Sequence, residues 1–114
     1  MKHDLRKSVW DAKDACWSIQ MFTAGLTLDI YQKSNLVRSA VERQFEILGE
    51  AFNRIEDADP SFRDHLPEMG DAIGMRNRLA HGYDCVDDGV VWLAVKESIP
   101  PLLDKLTAWL EKNG

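Results

Sequence analysis

Chemistry in this 114-residue chain concentrates in Arg76-Asn77-Arg78-Leu79-Ala80-His81-Gly82-Tyr83, where five polar or titratable side chains crowd into the end of one predicted helix. Asn77 and His81 are four apart and stack on one side of that helix, and Arg76 and Tyr83, seven apart, come within about 20° of each other around the axis. Arg76 and His81 are about 140° apart, so they converge only through the length of the arginine or through unwinding at Gly82. The set has what RNA cleavage without a metal requires. A histidine titrating near neutrality takes the 2′-hydroxyl proton or hands one to the leaving oxygen. A planar, permanently charged arginine holds the phosphate and stabilises the charge that gathers on it in the transition state.

The same residues also admit a purely structural account. A histidine at a helix C-terminus stabilises the helix dipole, and two arginines in an acidic protein pair with carboxylates such as Asp71 or Asp84. Of the remaining candidates, His3 and His65 read as surface residues. Asp84, Asp87 and Asp88 read as turn and cap residues, because three close acids lack a histidine or fourth carboxylate at metal-ligand spacing. No metal or cofactor is expected.

Helices must position this run. Leu5, Val9, Ala12, Cys16, Ile19, Thr23 and Leu26 form one buried stripe, which predicts a helix from Asp4 to Thr23. Gly25 and Thr27 to Tyr31 break the pattern. Ser34 is a predicted N-cap for a long helix from Asn35 to about Glu56, with Leu36, Ala40, Gln44, Ile47, Ala51 and Ile55 on its stripe. Asp59-Pro60 predicts a short helix from Pro60 to His65. A further helix is predicted from Met69 to Ala80, stopped or loosened by Gly82. Asp87 caps a last helix carrying Val91, Val95, Ile99, Leu102 and Leu106, which Pro100-Pro101 should kink or split. Trp10, Trp17, Trp92 and Trp109 fall at helical positions and read as packing in the core or in a seam between subunits. Short connections between amphipathic helices predict an all-α, up-and-down bundle of four to five helices in a single domain over residues 1–114.

Composition narrows the classes. A net charge of -5 lacks the basic balance of a nonspecific nucleic-acid binder, so a polyanion must be met locally. Six of the seven arginines lie between positions 38 and 78, which marks the middle of the chain for that contact. The absence of a long apolar run or a signal-like start points to a cytoplasmic protein that does not enter a membrane. Cys16 and Cys85 stand far apart without metal or redox spacing and read as reduced, unpaired thiols. The short chain has a small core, which makes dimerisation an expectation from size alone.

The string Gly74-Met75-Arg76-Asn77-Arg78-Leu79-Ala80-His81-Gly82-Tyr83, followed by Val86-Asp87 and Val91-Trp92, resembles the R-x4-H-x-Y signature of the HepT-like ribonuclease family within the HEPN superfamily. The resemblance extends upstream through Ala40 to Ala51, with its Gly49-Glu50-Ala51 element, and downstream to Ile99-Pro100-Pro101-Leu102. Asp84 and Cys85 depart from the usual residues there without touching the polar triad. This resemblance implies an all-helical homodimer whose two motifs face each other across a cleft and cut RNA without metal. It also implies a toxin role in a toxin-antitoxin pair. The partner would be an MntA-like nucleotidyltransferase antitoxin that transfers AMP from ATP to the motif tyrosine. On that basis Arg76 and His81 are the catalytic pair and Tyr83 the AMP acceptor. Asn77 and Arg78 are candidates for holding substrate. Glu50 and Arg43 are candidates for orienting the motif, or else form a core or inter-helix ion pair. The alternative is a noncatalytic helical subunit that presents substrate to the nucleotidyltransferase. A generic helical interaction module would instead have these residues packed or paired.

Overall fold

The computed structural model describes residues 4–81 and 86–113, with His81 described by its backbone alone. Seven helices and no strand occur among these residues. The seven are α1 (Leu5–Thr23), α2 (Leu28–Lys33), α3 (Asn35–Ala58), α4 (Phe62–His65), α5 (Met69–His81), α6 (Asp88–Glu97) and α7 (Ile99–Asn113). Five of them are long enough to build the expected bundle, and α2 and α4 are short connectors.

Local chemistry sets most boundaries. The Asp4 carboxylate accepts from the Lys7 amide, the Ser34 hydroxyl from the Val37 amide at 3.2 Å, and the Asp87 carboxylate from the Gly89 amide at 2.7 Å. Gly25 turns the chain out of α1 with φ at +76°, a conformation that costs a residue with a Cβ. Two expectations need correction, and a third, the split of the last helix, is met with the break just before the prolines. The stretch read as a break holds α2, capped by Thr27 Oγ1 accepting from the Ile30 amide at 3.2 Å. Six residues with Leu28 and Ile30 exposed and Tyr31 buried are too few to show a periodic signal. Asp59 does not cap a helix at Pro60: its Oδ1 accepts from the amide and hydroxyl of Ser61, and α4 starts at Phe62. The predicted last helix is split at Ser98, and Pro100 and Pro101 occupy the first turn of α7, where an amide N–H has no intrahelical partner to lose.

The core sits around α3, which packs against α1 on one side and α5 on the other, while α7 packs on α1 and α6. Val41, Phe45, Leu48, Phe52 and Ile55 of α3 meet Val9, Ala12, Cys16 and Ile19 of α1 in one buried cluster. Each large apolar side chain there contributes roughly 1.5–3 kcal/mol by leaving water. Arg54, near the end of α3, reaches Ser8 and Asp11 near the start of α1 at 3.4 Å, so the two helices run antiparallel. Trp92 and Trp109 pack against the core, tilted against Tyr31 and Phe62. Trp10 and Trp17 do not: they are 48% and 52% exposed on the face of α1 opposite the core, contrary to a core placement within this chain. Cys16 is buried, and burial pushes its thiol up to about 12. No helix among the described residues is long and apolar enough to cross a membrane.

Candidate functional site

Two anchors hold α5, the helix that carries the motif. At its start, Lys105 of α7 donates to Glu68 at 2.7 Å, a bond that holds the Glu68 carboxyl below its usual range. At its middle, α5 lies on α3 at Gly49. A Cβ built on Gly49 would stand 2.2 Å from Cβ and 2.6 Å from Cγ of Arg76, and 3.3 Å from the Ala72 carbonyl oxygen. Only the absence of a side chain at position 49 lets the two helices meet there, and the residue that fills the space is Arg76.

The arginine stem is thus clamped between helices while its head remains reachable, with 29% of the side chain exposed. Its Nη1 donates to Asn77 Oδ1 at 3.2 Å, and its Nη2 lies 4.0 Å from Glu50 Oε2. The carboxylate beside Arg76 is therefore Glu50 of the neighbouring helix, in the inter-helix ion pair weighed above, and not Asp71. A pair this exposed contributes about 1 kcal/mol or less to stability. Its consequence is geometric: a loosely paired guanidinium, fixed at its base, can exchange Glu50 for a phosphate.

The other candidates fall around this point. Asn77 is exposed and joined to Arg76. Arg78 is exposed too, but two residues along a helix carry it about 200° round the axis, away from α3 and onto the edge of a cavity between α5 and α6. It therefore does not share Arg76's contacts. Arg43 is exposed, lies two turns before Glu50 on the same line of α3, and makes no ion pair among the described residues. Because α5 runs back along α3, the five residues from Arg76 to His81 carry the motif roughly 7.5 Å toward the Arg43 end of α3. His81 ends α5, and its side chain is outside the described residues, as are Gly82 and Tyr83, the Asp84 alternative and Cys85. Among the described residues no three His, Cys, Asp or Glu side chains gather as a metal site would require. Sequence reasoning missed Gly49 as a functional position. The available signal was a glycine in the interior of a 24-residue helix, where it costs about 1 kcal/mol relative to alanine.

Comparison with known proteins gives a consistent pattern. Residues 12–108 match the family model described as Ribonuclease HepT-like. A Thermococcus cleftensis protein named a candidate ribonuclease HepT is 31% identical over 105 residues, covering 92% of this chain and 94% of the relative. The Methanocaldococcus jannaschii protein MJ1380, named a candidate RNase, is 29% identical over 103 residues, covering 89% of this chain and 92% of the relative. A similarly named protein, TTE0752 of Caldanaerobacter subterraneus subsp. tengcongensis, is 27% identical over 91 residues, covering 78% of this chain and 79% of the relative. No solved structure matches the chain at a significant level.

Proposed function

The chain belongs to the HepT-like ribonuclease family, and from that premise we propose that it is a metal-independent endoribonuclease whose reaction is carried by Arg76 and His81. The observation that supports this most directly is the clamp on Arg76: a glycine kept open on α3 seats its stem, and a half-exposed carboxylate and an amide hold its head near the end of α5.

In the proposed reaction one His81 takes the proton of a ribose 2′-hydroxyl, and the freed oxygen attacks the adjacent phosphorus. The bond to the 5′-oxygen of the next nucleotide breaks, and that oxygen receives a proton from His81 of the partner subunit. The products are a 2′,3′-cyclic phosphate and a 5′-hydroxyl end. Arg76 leaves Glu50 for the phosphate and stabilises its developing charge, with Asn77 keeping the guanidinium plane in place. One motif supplies one histidine, so acid and base come from two chains, which is the reason to propose a homodimer with both motifs on a shared cleft. Arg43 adds positive charge toward the same end of the helix pair.

The same reading makes the protein the toxin of a toxin-antitoxin pair, with Tyr83 as the residue to which an MntA-like nucleotidyltransferase transfers AMP. AMP on Tyr83 would bring a phosphate and a bulky base to the place where substrate phosphate binds. Inhibition then follows from occupancy and charge.

Purified protein incubated with transfer RNA and messenger RNA tests the reaction. Wild type should produce cyclic-phosphate ends with or without chelator. Arg76→Ala and His81→Ala should be inactive with unchanged helical circular dichroism. Cleavage retained in His81→Ala, or lost with chelator, overturns the mechanism, and an intact RNA with wild type favours the noncatalytic subunit. With the nucleotidyltransferase, ATP and magnesium, the peptide containing Tyr83 should gain AMP mass and cleavage should stop; Tyr83→Phe should escape both.

A further inference from the structure

Between α5 and α6 the bundle leaves a cavity of about 320 Å³ that nothing in the reaction above uses. Its floor is apolar and buried, made by Phe45, Met75 and Leu102, and Leu93, 56% exposed, forms the outer wall. Arg78 and the carboxylates of Asp71 and Glu97 line its edge. Its volume lies at the low end of the range of small-molecule sites. Position ties it to the motif. On α5 the register positions of Arg78 and His81 are three apart and lie about 60° from each other, so Arg78 stands between the end of the motif and the cavity mouth.

The edge specifies a kind of ligand. Ionised carboxylates only accept hydrogen bonds, and a guanidinium only donates. A ligand that fits is apolar where it meets the floor, offers donors to the carboxylates and carries an anion for Arg78. Single-stranded RNA is read in this way, by unstacked bases hydrogen-bonded along their exposed edges. Among the four bases only guanine presents two adjacent donors, N1–H and N2–H₂, which match the two oxygens of one carboxylate. Adenine and cytosine place an acceptor beside their amino group, and uracil flanks its single donor with two acceptors; each would set a lone pair against the carboxylate.

We propose that this cavity is a base subsite that takes one unstacked guanine of the RNA strand next to the bond cut at the motif, with its donor edge on Glu97 and its phosphate on Arg78. Met75 and Phe45 replace the stacking partners that the base leaves behind. The assignment rests on the nuclease reading for the identity of the strand, and on the cavity alone for the base.

The full chain with methyl-labelled methionine and leucine is titrated with 5′-GMP, AMP, CMP and UMP, and with inorganic phosphate alone, while the Met75 and Leu93 methyl resonances are followed. GMP should shift both, about tenfold or more tighter than the other nucleotides, and phosphate should move neither. A Cβ on Gly74, at the cavity mouth, meets nothing within 4 Å, so a side chain can leave the backbone there without a clash and Gly74→Leu sets an isobutyl group at the mouth. That variant should lose the GMP shifts and raise KM for RNA with kcat little changed, and Glu97→Gln should lose the preference for GMP while keeping its fold. Silence of both methyls to every nucleotide overturns the subsite. So does a Gly74→Leu protein that cuts RNA with wild-type KM and base preference. GMP shifts in a protein that cuts no RNA uphold the pocket and remove the nuclease reading, so the two failures are distinct.

Discussion

Replacing Gly49 with alanine tests the seat of Arg76 with the smallest possible perturbation. The added methyl would lie 2.2 Å from Arg76 Cβ, whereas carbon atoms pack best at about 3.5–4.0 Å. The shortfall is about 1.3 Å, and no rotamer of Arg76 relieves it, because a Cβ is fixed to its backbone. The helices α3 and α5 must part or slide. Overpacking of this kind costs about 1–3 kcal/mol, and this contact belongs at the upper end since both atoms are carried by helix backbones. Against it stands the helix-propensity gain of alanine over glycine, about 1 kcal/mol. The net is a loss of about 2 kcal/mol, or a Tm lowered by about 8 °C for a chain of this size. Activity should fall more steeply than stability, since a shift of about 1 Å in a positioned catalytic group can cost about 100-fold. Gly74→Ala is the matched control: it makes the same chemical change on α5 where no atom lies within 4 Å, so it should gain up to about 1 kcal/mol. Thermal unfolding followed by circular dichroism, with cleavage measured well below both midpoints, reads the two together. If Gly49→Ala is as stable as Gly74→Ala and cuts RNA at the wild-type rate, the clamp does not exist.

Glu50→Gln should change stability by less than about 1 kcal/mol, because the pair with Arg76 is half-exposed at 4.0 Å, yet alter KM for RNA; an unchanged KM separates Glu50 from the site. Tyr31 is wholly buried beside Trp92, its hydroxyl finds no partner among the described residues, and burial together with the nearby Glu42 and Asp88 pushes its ionisation up. Tyr31→Phe should therefore be neutral or stabilising by up to about 1 kcal/mol in urea unfolding, and a loss beyond that amount reveals a bond the structure lacks. The Cys16 thiol, pushed up to about 12 by burial, should resist a thiol reagent at pH 8 in the native protein and react once urea unfolds it. The native state keeps the Cys16 proton that an unfolded chain releases near pH 9, so this group's contribution to stability is complete below about pH 9 and is lost as pH rises toward 12. Cys16→Val should flatten that decline.

The chain alone determined what depends on neighbours within a few residues. Stripes at helical spacing and the caps at Ser34 and Asp87 define an all-helical chain, because a helix is built from contacts three and four residues apart. The family signature is equally local and is legible from Gly74 to Tyr83. Short elements escaped this reading: α2 is one and a half turns held by Thr27, too brief for periodicity to register. What faces what was decided by the tertiary structure. The sequence separates the roles of Arg76 and Arg78 but not their surroundings: one is seated on α3 and the other edges a cavity beside α6, because docking at Gly49 sets the rotation of α5 about its own axis. Trp10 and Trp92 both sit at helical positions, and only the packing of α1 on α3 and α7 turned Trp10 away from the core. Which side chain shares a site depends on contacts between residues tens of positions apart, and those arise when several helices bury their apolar faces together.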